Sequence, residues 1–358
     1  MKKIVTIVGA RPQFVKAAIV SRALKNAGIE EVIIHTGQHF DKNMSEIFFE
    51  EMQIPKPNYN LEISNLSHGA MTGRMLEAIE EVLISENPEL VLVYGDTNST
   101  LAGALAASKL NIRVGHVEAG LRSFNIAMPE EMNRIITDRI ASLLFCPTSV
   151  AVENLEREGF RNFTCQIVNS GDVMHDAALF YAQLSDKQSS IIEQLKLTNQ
   201  PFSLATLHRQ ENTNDPEKLK DIFNALDTLN NHTKVIMPLH PRTRKIIDEL
   251  GIQHRFEVID PVGYLDMIQL LKNCNLVLTD SGGLQKEAFF FQKHCITLRE
   301  ETEWVELVAN GYNVLAGSDP MKILESYKVM TSKSSDFNRN LYGNGHASET
   351  IAKLLATL

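Results

Sequence analysis

Cysteine, tryptophan and long apolar runs are all scarce in this chain. Its 358 residues include 4 cysteines and 1 tryptophan, and no apolar run approaches the length that crosses a membrane. The widely spaced cysteines fit neither a disulfide framework nor a metal site. Cys146, Cys274 and Cys295 lie in or beside apolar runs, which predicts buried thiols in a protein of the reducing cytoplasm. The apolar part of the N-terminal segment is too short for a signal peptide and predicts a first strand instead.

Positive charge is also in deficit. The chain carries 44 acidic and 35 basic residues, a formal net charge of -9. This balance argues against a nucleic-acid binder, which would show a basic face, but it allows a local basic pocket for a nucleotide diphosphate. A hydrophobic content of 44% and a charged content of 22% are ordinary for a globular protein, and the length allows two domains.

Short apolar runs alternate with amphipathic helical patterns along nearly the whole chain. Strand patterns such as Lys3–Val8 and Leu90–Tyr94 are almost continuously apolar, which is typical of parallel strands covered on both faces. Two such sets predict an α/β protein with two doubly wound, Rossmann-like domains. The polar stretch 183–200 is the predicted boundary, which divides the chain into domains at residues 1–182 and 183–346.

The stretch Thr279–Glu287 runs from an apolar strand through Asp-Ser-Gly-Gly into a helical pattern. The adjacent Gly282 and Gly283 have no Cβ atoms, so a ligand can approach the backbone closely. The free N–H groups and the positive dipole end of the following helix suit an anion such as phosphate. Glu287, one turn into that helix, is placed to accept hydrogen bonds from ribose hydroxyls. The alternative is an ordinary strand-to-helix turn capped by Ser281.

Polar side chains also follow the first two strands, at the sheet edge where open parallel sheets bind ligands. Arg11 and Lys16 come after the first strand, near a helix start, and Gln38 lies in a polar turn after the second. A surface ion pair for Arg11 and a plain turn around Gln38 remain alternatives. No Gly-x-Gly-x-x-Gly follows the first strand, so NAD binding is unsupported.

Three carboxylates of the first half belong to the same predicted sheet edge. Asp96 follows one strand, Glu118 ends the next, and Glu131 opens the helix after that. Asp96 could be a helix N-cap, and the neighbouring Glu130 could serve only the helix dipole. Three converging carboxylates would repel, and at least one pKa would rise. Such an arrangement suits proton transfer.

The second half supplies cations and histidines at its own sheet edge. His208 and Arg209 follow one predicted strand, and His240 and Arg242 follow the next. The turn at Ser281 lies on the same edge. Cations and free backbone amides of the second half would hold a diphosphate. Carboxylates of the first half, on a facing sheet edge, would act as acid–base catalysts on the group attached to that diphosphate.

Taken together, these motifs resemble those of the non-hydrolysing UDP-N-acetylglucosamine 2-epimerases of bacteria. The matching stretches, in chain order, are Gly9–Gln13, His35–His39, Gly95–Thr97, His116–Arg122, Pro129–Arg134, His208–Arg209, Thr279–Gly283 and Tyr342–Gly345. The resemblance implies two facing Rossmann-like domains of the GT-B type with the active site between them. It also implies a C-terminal helix, residues 347–358, that packs back on the first domain, and a homodimer.

The resemblance further implies a mechanism in which UDP is eliminated across C1–C2 of the sugar and then adds back with the opposite configuration at C2. The residues that match the family's catalytic groups are Asp96, Glu118, Glu131 and His208. The residues that match its UDP contacts are Arg11, Lys16, Ser281, Gly282, Gly283 and Glu287. Further substrate-binding candidates are Gln38, Arg134, Arg209 and His240. No metal or redox cofactor is implied, nor is a nucleic-acid or membrane partner.

The chain departs from the family pattern at three cationic positions. Phe40, Gln210 and Trp304 stand where the family often has arginine. These changes resemble the sub-branch that acts on UDP-2,3-diacetamido-2,3-dideoxyglucuronate, on the way to surface polysaccharide such as lipopolysaccharide. They also argue against activation by a second UDP-N-acetylglucosamine. The candidate partners for a sugar carboxylate are Arg122, Arg209, Arg242 and Arg299.

Three rival functions differ in what they need from the chain. A hydrolysing 2-epimerase would release the free sugar, and a GT-B glycosyltransferase would need an acceptor cleft but no group of three carboxylates. A regulator that only binds a nucleotide sugar would need the phosphate-binding residues but not the acid–base carboxylates. The presence of Asp96, Glu118, Glu131 and His208 together favours the epimerase.

Overall fold

The structure, a computed structural model, describes residues 2–38 and 53–358, apart from the side chain of Arg11. The chain divides into two compact units, Met1–Leu179 with Asn340–Leu358 and Phe180–Arg339. Helix patterns predicted at Asn43–Glu51, and the residues His39 and Phe40, lie outside the described residues. Among the described residues, no helix is both long and apolar enough to cross a membrane.

The first unit is built on a parallel sheet in the order β3-β2-β1-β4-β5-β6-β7. Its strands are β1 Lys3–Val8, β2 Glu30–His35, β3 Tyr59–Asn60, β4 Leu90–Tyr94, β5 Arg113–Val117, β6 Leu143–Cys146 and β7 Gln166–Asn169. Its helices are α1 Arg11–Asn26, α2 His68–Glu86, α3 Asn98–Lys109, α4 Pro129–Ile140, α5 Ser149–Arg157, with the short 3-10 turn Phe160–Asn162, and α6 Val173–Gln188, which continues into the second unit. Every residue of β4 is buried, as expected of a central strand covered on both faces.

The second unit repeats this plan with the order β10-β9-β8-β11-β12-β13, again all parallel. Its strands are β8 Phe202–Thr206, β9 Lys234–Pro238, β10 Glu257–Ile259, β11 Leu276–Thr279, β12 His294–Thr297 and β13 Asn313–Leu315. Its helices are α7 Ile191–Gln194, α8 Gln210–Thr213, α9 Pro216–Asn230, α10 Pro241–Leu250, α11 Tyr264–Asn273, α12 Gly282–Phe290, α13 Val305–Ala309 and α14 Pro320–Ser332. In each unit the fourth strand pairs with the first strand, on the side opposite to the second strand. The loops after β1 and β4 therefore lie at the same edge of the first sheet, and the loops after β8 and β11 at the same edge of the second.

The last helix, α15 Ala347–Thr357, belongs to the first unit. Asp176 of α6 accepts the backbone N–H groups of Ala347 and Ser348 at its start, at 3.0 and 2.8 Å. At its other end the Lys2 ammonium donates to the carbonyl of Leu355. This helix therefore has partners in the first unit at both ends.

The two doubly wound sheets confirm the predicted fold class. The two units divide between Leu179 and Phe180, within α6 and close to the predicted boundary after residue 182, and the first unit also takes in Asn340–Leu358. The predicted elements did not include the short β3, β13, α8 and α13, nor the longer helices α6 and α14, which mix apolar and polar residues. The predicted burial of Cys146, Cys274 and Cys295 is confirmed.

Candidate active site

The loop after β4 places Asp96 at the edge of the first sheet. The N-cap of α3 is Thr97, whose hydroxyl accepts the N–H of Thr100, so the alternative that Asp96 merely caps this helix is wrong. The side chain of Asp96 is 32% exposed and pairs with Arg134, whose Nη2 lies 2.7 Å from Oδ2. Its carboxylate is therefore held in place without being sealed from solvent.

Arg134 joins two of the three predicted carboxylates. Its Nη1 lies 2.5 Å from Oε2 of Glu131, which stands one turn earlier on α4. Glu131 also accepts the backbone N–H groups of Ser123 and Phe124, at 2.9 and 3.0 Å. Burial alone would raise the pKa of the Glu131 carboxyl, but these donors and Arg134 hold it below its usual value. Arg134, predicted to bind substrate, is engaged here with protein carboxylates.

Glu118, at the end of β5, forms an ion pair with Lys16 of α1. Its φ of 76° lies in the left-handed region, which a side chain bearing a Cβ adopts only under strain. A Cβ at Gly95 would lie 3.3 Å from Oε2 of Glu118 and 3.6 Å from Nζ of Lys16. A glycine after β4 therefore leaves space for this pair.

One of the three carboxyl pKa values, that of Asp96, is raised, but burial and not the predicted repulsion is the main cause. Burial raises the pKa of the Asp96 carboxyl most, the guanidinium of Arg134 opposes the rise, and the Glu118 carboxylate adds to it. The first unit thus carries one carboxyl inclined to hold a proton and another, Glu131, inclined to release it. Such divergent pKa values are the usual mark of paired acid and base groups.

In the second unit, the carboxylate of Asp280 lies at the end of β11 and is fully buried. It accepts the backbone N–H groups of His208 and Arg209 at 3.1 and 2.9 Å, and the Asn212 side-chain amide at 3.2 Å. Nδ1 of His208 lies 3.3 Å from Asp280, while the His208 side chain is 52% exposed. Asp280 thereby fixes the loop after β8 and orients the histidine ring.

Helix α12 begins beside this loop, at the predicted phosphate-binding turn. Ser281 caps it by accepting the N–H of Leu284. A Cβ at Gly282 would meet nothing closer than Glu303 at 3.6 Å and Nη2 of Arg209 at 3.8 Å, so the helix start is open. One turn later, Oε1 of Glu287 accepts the hydroxyl of Tyr264 at 2.7 Å. Open amides, an arginine and an oriented carboxylate are thus gathered around one helix start.

The remaining predicted binding residues lie in different settings. Oε1 of Gln38 accepts the N–H and hydroxyl of Ser99, at 3.1 and 2.7 Å, beside the start of α3. The exposed His240 caps α10, with Nδ1 accepting the N–H of Arg242. The side chain of Arg11 lies outside what the structure describes, so its place is untested.

Arg122 is a wrong candidate for binding a sugar carboxylate, because it is buried among the protein's own acids. Its guanidinium forks onto Glu158, with Nε and Nη2 at 2.7 and 2.8 Å, and also bonds Asp138. Arg299 is likewise buried and bonds Glu303. Arg209, with 29% of its side chain exposed, lies 3.6 Å from Glu303 and is more accessible.

Sequence reasoning assigned no role to Asp138, Tyr264 or Asp280. Asp138 shares a helical face with Glu131 and Arg134, since their spacing is three and then four residues, and this periodicity is a signal that could have found it. Tyr264 gives no comparable signal, because its contact with Glu287 joins two distant helices.

Comparisons with known proteins agree with this geometry. A family model described as UDP-N-acetylglucosamine 2-epimerase matches residues 22–356. A UDP-2,3-diacetamido-2,3-dideoxy-D-glucuronate 2-epimerase of Pseudomonas aeruginosa is 56% identical over 99% of this chain and 100% of its own. The chain belongs to the UDP-N-acetylglucosamine 2-epimerase family.

Two solved structures of the family show the same fold. The Methanocaldococcus jannaschii UDP-GlcNAc 2-epimerase in complex with UDP-GlcNAc and UDP has a TM-score of 0.89 and 42% identity, with 100% of both chains covered. The Neisseria meningitidis enzyme bound to UDP-GlcNAc has a TM-score of 0.88 and 30% identity, covering 99% of this chain and 100% of its own. This chain is accordingly an isomerase of the epimerase family with two Rossmann-like domains.

Trp304, which the resemblance marked as a departure from the family pattern, lies beside the start of α12. Its indole N–H donates to the carbonyl of Gly282 at 2.8 Å. The ammonium of Lys286 lies 4.1 Å from the centre of its ring, a cation–π distance. A positive charge therefore remains beside this helix start, although it comes from a different residue.

Proposed function

We propose that this epimerase inverts C2 of a UDP-2-acetamido sugar by eliminating and re-adding UDP. A base removes the C2 proton while the C1–O bond breaks, so UDP leaves with the bonding electrons and a C1=C2 double bond forms. A diphosphate oxygen then attacks C1 and an acid delivers a proton to the opposite face of C2. Atoms and electrons balance without a redox cofactor or consumption of water.

The proton-transfer groups we assign are Asp96, Glu118 and Glu131. Their support is the arrangement of three carboxylates in ion pairs with Lys16 and Arg134, at one sheet edge, with carboxyl pKa values moved in opposite directions. This is the observation that carries the proposal, because a protein that only binds a nucleotide sugar has no use for such a set.

The UDP-holding groups we assign lie in the second unit, around the start of α12. The free N–H groups after Ser281 would receive the diphosphate, and Glu287 the ribose hydroxyls. His208, held by Asp280, would assist departure of the diphosphate by donating a proton or a hydrogen bond. Arg11 and Lys16 are further proposed UDP contacts, and Lys16 would have to share its charge with Glu118.

The sugar we propose is a diacetamido-uronate rather than plain N-acetylglucosamine. The support is the 56% identity to the Pseudomonas aeruginosa relative and the loss of arginine at Gln210 and Trp304. Of the cations considered as partners of the sugar carboxylate, Arg209 fits best, since it is accessible and next to His208. Activation by a second UDP-N-acetylglucosamine is not expected.

A substrate panel tests this proposal. Purified protein is given UDP-N-acetylglucosamine or UDP-2,3-diacetamido-2,3-dideoxyglucuronate, each with and without added UDP-N-acetylglucosamine, and the sugar configuration is followed by NMR. We expect C2 inversion of the diacetamido-uronate at a rate indifferent to the added compound. Inversion of UDP-N-acetylglucosamine alone would contradict the substrate, and release of free sugar would favour the hydrolysing reaction.

The homodimer also remains a proposal, supported by the resemblance alone. Light scattering coupled to size-exclusion chromatography measures the mass against the 40.1 kDa of one chain. A mass near twice that value is expected, and a mass of one chain at micromolar concentration would contradict it.

A further inference from the structure

His116 of β5 is a fully buried histidine that contacts the loop bearing Asp96 and the helix bearing Glu131. Its Nε2 lies 2.7 Å from the carbonyl oxygen of Gly95, directly before Asp96. Its Nδ1 lies 2.6 Å from Oδ1 of Asp138 on α4, the helix that carries Glu131. The ring therefore links the end of β4 to α4 through the strand that ends at Glu118.

Both atoms that contact the His116 ring are hydrogen-bond acceptors. A carbonyl oxygen cannot donate, and an ionised Asp138 can only accept, so with Asp138 ionised both ring nitrogens carry hydrogen. Burial would raise the pKa of Asp138, but His116 and Arg122 hold it below its usual value, consistent with an ionised acid. His116 and Arg122 then balance Asp138 and Glu158, and the buried network is neutral.

The other oxygen of Asp138 holds the loop after β5. Oδ2 accepts the backbone N–H of Gly120 at 3.1 Å and Nη1 of Arg122 at 2.7 Å. Gly120 has a φ of 79°, and its carbonyl accepts the Asn154 side chain at 3.0 Å. The strained turn that presents Glu118 is thus fastened by the same carboxylate that contacts His116.

Gly95 is likewise fixed at both of its backbone groups. Its N–H donates to the carbonyl of Val117 at 3.0 Å, and its own carbonyl accepts from His116. With a φ of 60°, Gly95 turns the chain sharply before Asp96. Loss of the histidine contact would leave the buried carbonyl of Gly95 without this hydrogen bond, so the turn would have to shift.

We propose that His116 and Asp138 are positioning residues, which set the geometry of Asp96 and Glu118 without touching substrate. This inference rests on the proposed function. His116, protonated on both ring nitrogens and paired with Asp138, holds the peptide before Asp96 and the turn after Glu118 in a fixed geometry. The titratable groups around the ring are Asp138 on α4, Arg122 in the loop, and Cys146 on β6, whose thiol pKa is raised by burial.

The test compares two buried aspartates that both hold backbone N–H groups. Asp138→Asn removes the charge that lets His116 keep both hydrogens, and we expect kcat to fall about 10²-fold because the acid–base groups are misplaced. KM and the affinity for UDP should change less than about threefold, since most of the proposed nucleotide contacts lie around the start of α12 in the second unit. Asp176→Asn at the start of α15 is the matched control.

Asp176→Asn should lower the melting temperature in a similar way while kcat stays within about threefold of wild type. A purely structural role of Asp138 would give the same result in both variants, and that outcome would overturn the inference. A loss of UDP affinity in Asp138→Asn equal to its loss of kcat would also overturn it.

Two further measurements keep the inference testable if Asp138→Asn folds poorly. His116→Gln should lower kcat to a similar extent, and the double variant should lose little more than either single one, because the two residues act as a unit. Nitrogen-15 NMR of wild-type His116 should show hydrogen on both ring nitrogens; a single N–H would contradict the assignment. This spectrum does not depend on turnover, and wild-type C2 inversion tests the proposed function separately.

Discussion

Asp96 and Asp280 occupy matching places in two units of the same topology, yet their surroundings are opposite. Each comes after the fourth strand of its unit, which pairs with the first. Asp280 is fully buried and accepts several backbone and side-chain donors, whereas the Asp96 side chain is 32% exposed and pairs with one guanidinium. The same position thus serves architecture in one unit and, in our proposal, chemistry in the other.

The difference follows from what each unit is proposed to do. An anion is bound by backbone N–H groups that must stay in place, and a buried carboxylate such as Asp280 can hold the loop that borders them. Proton transfer needs a carboxyl that reaches the substrate and whose pKa is adjusted by burial and neighbours, as at Asp96. The two aspartates therefore predict different consequences when each is changed to asparagine.

Asp96→Asn should produce the largest effect of any change considered. We expect turnover to fall by about 10³-fold, the scale of general acid–base catalysis, with UDP affinity nearly unchanged. Burial raises the Asp96 pKa in the folded state, so ionisation of this carboxyl lowers the free energy of unfolding as the pH rises towards that pKa. At neutral pH the uncharged asparagine of this variant should therefore cost no stability. Unchanged turnover would remove Asp96 from the mechanism.

Asp280→Asn should instead act on folding and nucleotide binding. Loss of a buried acceptor of several hydrogen bonds should lower the free energy of unfolding by about 2–3 kcal/mol, measured by urea titration. UDP affinity should fall too, because the His208–Arg209 loop loses its anchor. If Asp96→Asn destabilised the protein as much as Asp280→Asn, the contrast between the two positions would be wrong.

Arg11→Ala asks whether the first unit also contributes to nucleotide binding. We expect UDP affinity to weaken about tenfold, since one charged contact to a phosphate is worth roughly 1.4 kcal/mol at this scale. Lys25→Ala, an exposed cation at the other end of α1, is the control and should bind UDP normally. Normal UDP affinity in Arg11→Ala would show a surface role for that residue.

The smallest effect concerns the titration of Asp96 itself. Glu118→Gln removes a negative neighbour, so the Asp96 pKa should fall; Arg134→Met removes a positive one, so it should rise. Carbon-13 NMR of the carboxyl groups would follow both shifts, which we expect to be about one pH unit or less. No shift of the Asp96 pKa in either variant would show that burial alone controls this carboxyl.

The fold was predictable from the sequence because its strands are short, apolar and separated by amphipathic helices. Strands β1 and β4 are found at their predicted limits, since apolar residues make up most of the first and all of the second. The short strands β3 and β13 were missed because two or three residues carry too little pattern. Helix α6 was not predicted because its last residues, from Gln183 on, are mostly polar and resemble a loop.

The site was predictable in its residue types but not in its pairings. Carboxylates after parallel strands must meet at one edge, so the grouping of Asp96 and Glu118 followed from topology. That Arg134 would pair with Asp96, and that Arg122 would be buried, depends on tertiary distances that the sequence does not encode locally. The sequence therefore predicts which residues share a sheet edge better than it predicts the ion-pair or hydrogen-bond partner of each one.

The most direct test is exchange of the C2 hydrogen in heavy water. Wild-type protein, incubated with the UDP-2,3-diacetamido-uronate in D2O, should incorporate deuterium at C2 of both epimers, while Asp96→Asn should do so at least about 10²-fold more slowly. Epimerisation without deuterium at C2 would contradict proton transfer at that carbon, and with it the role assigned to the carboxylates of the first unit.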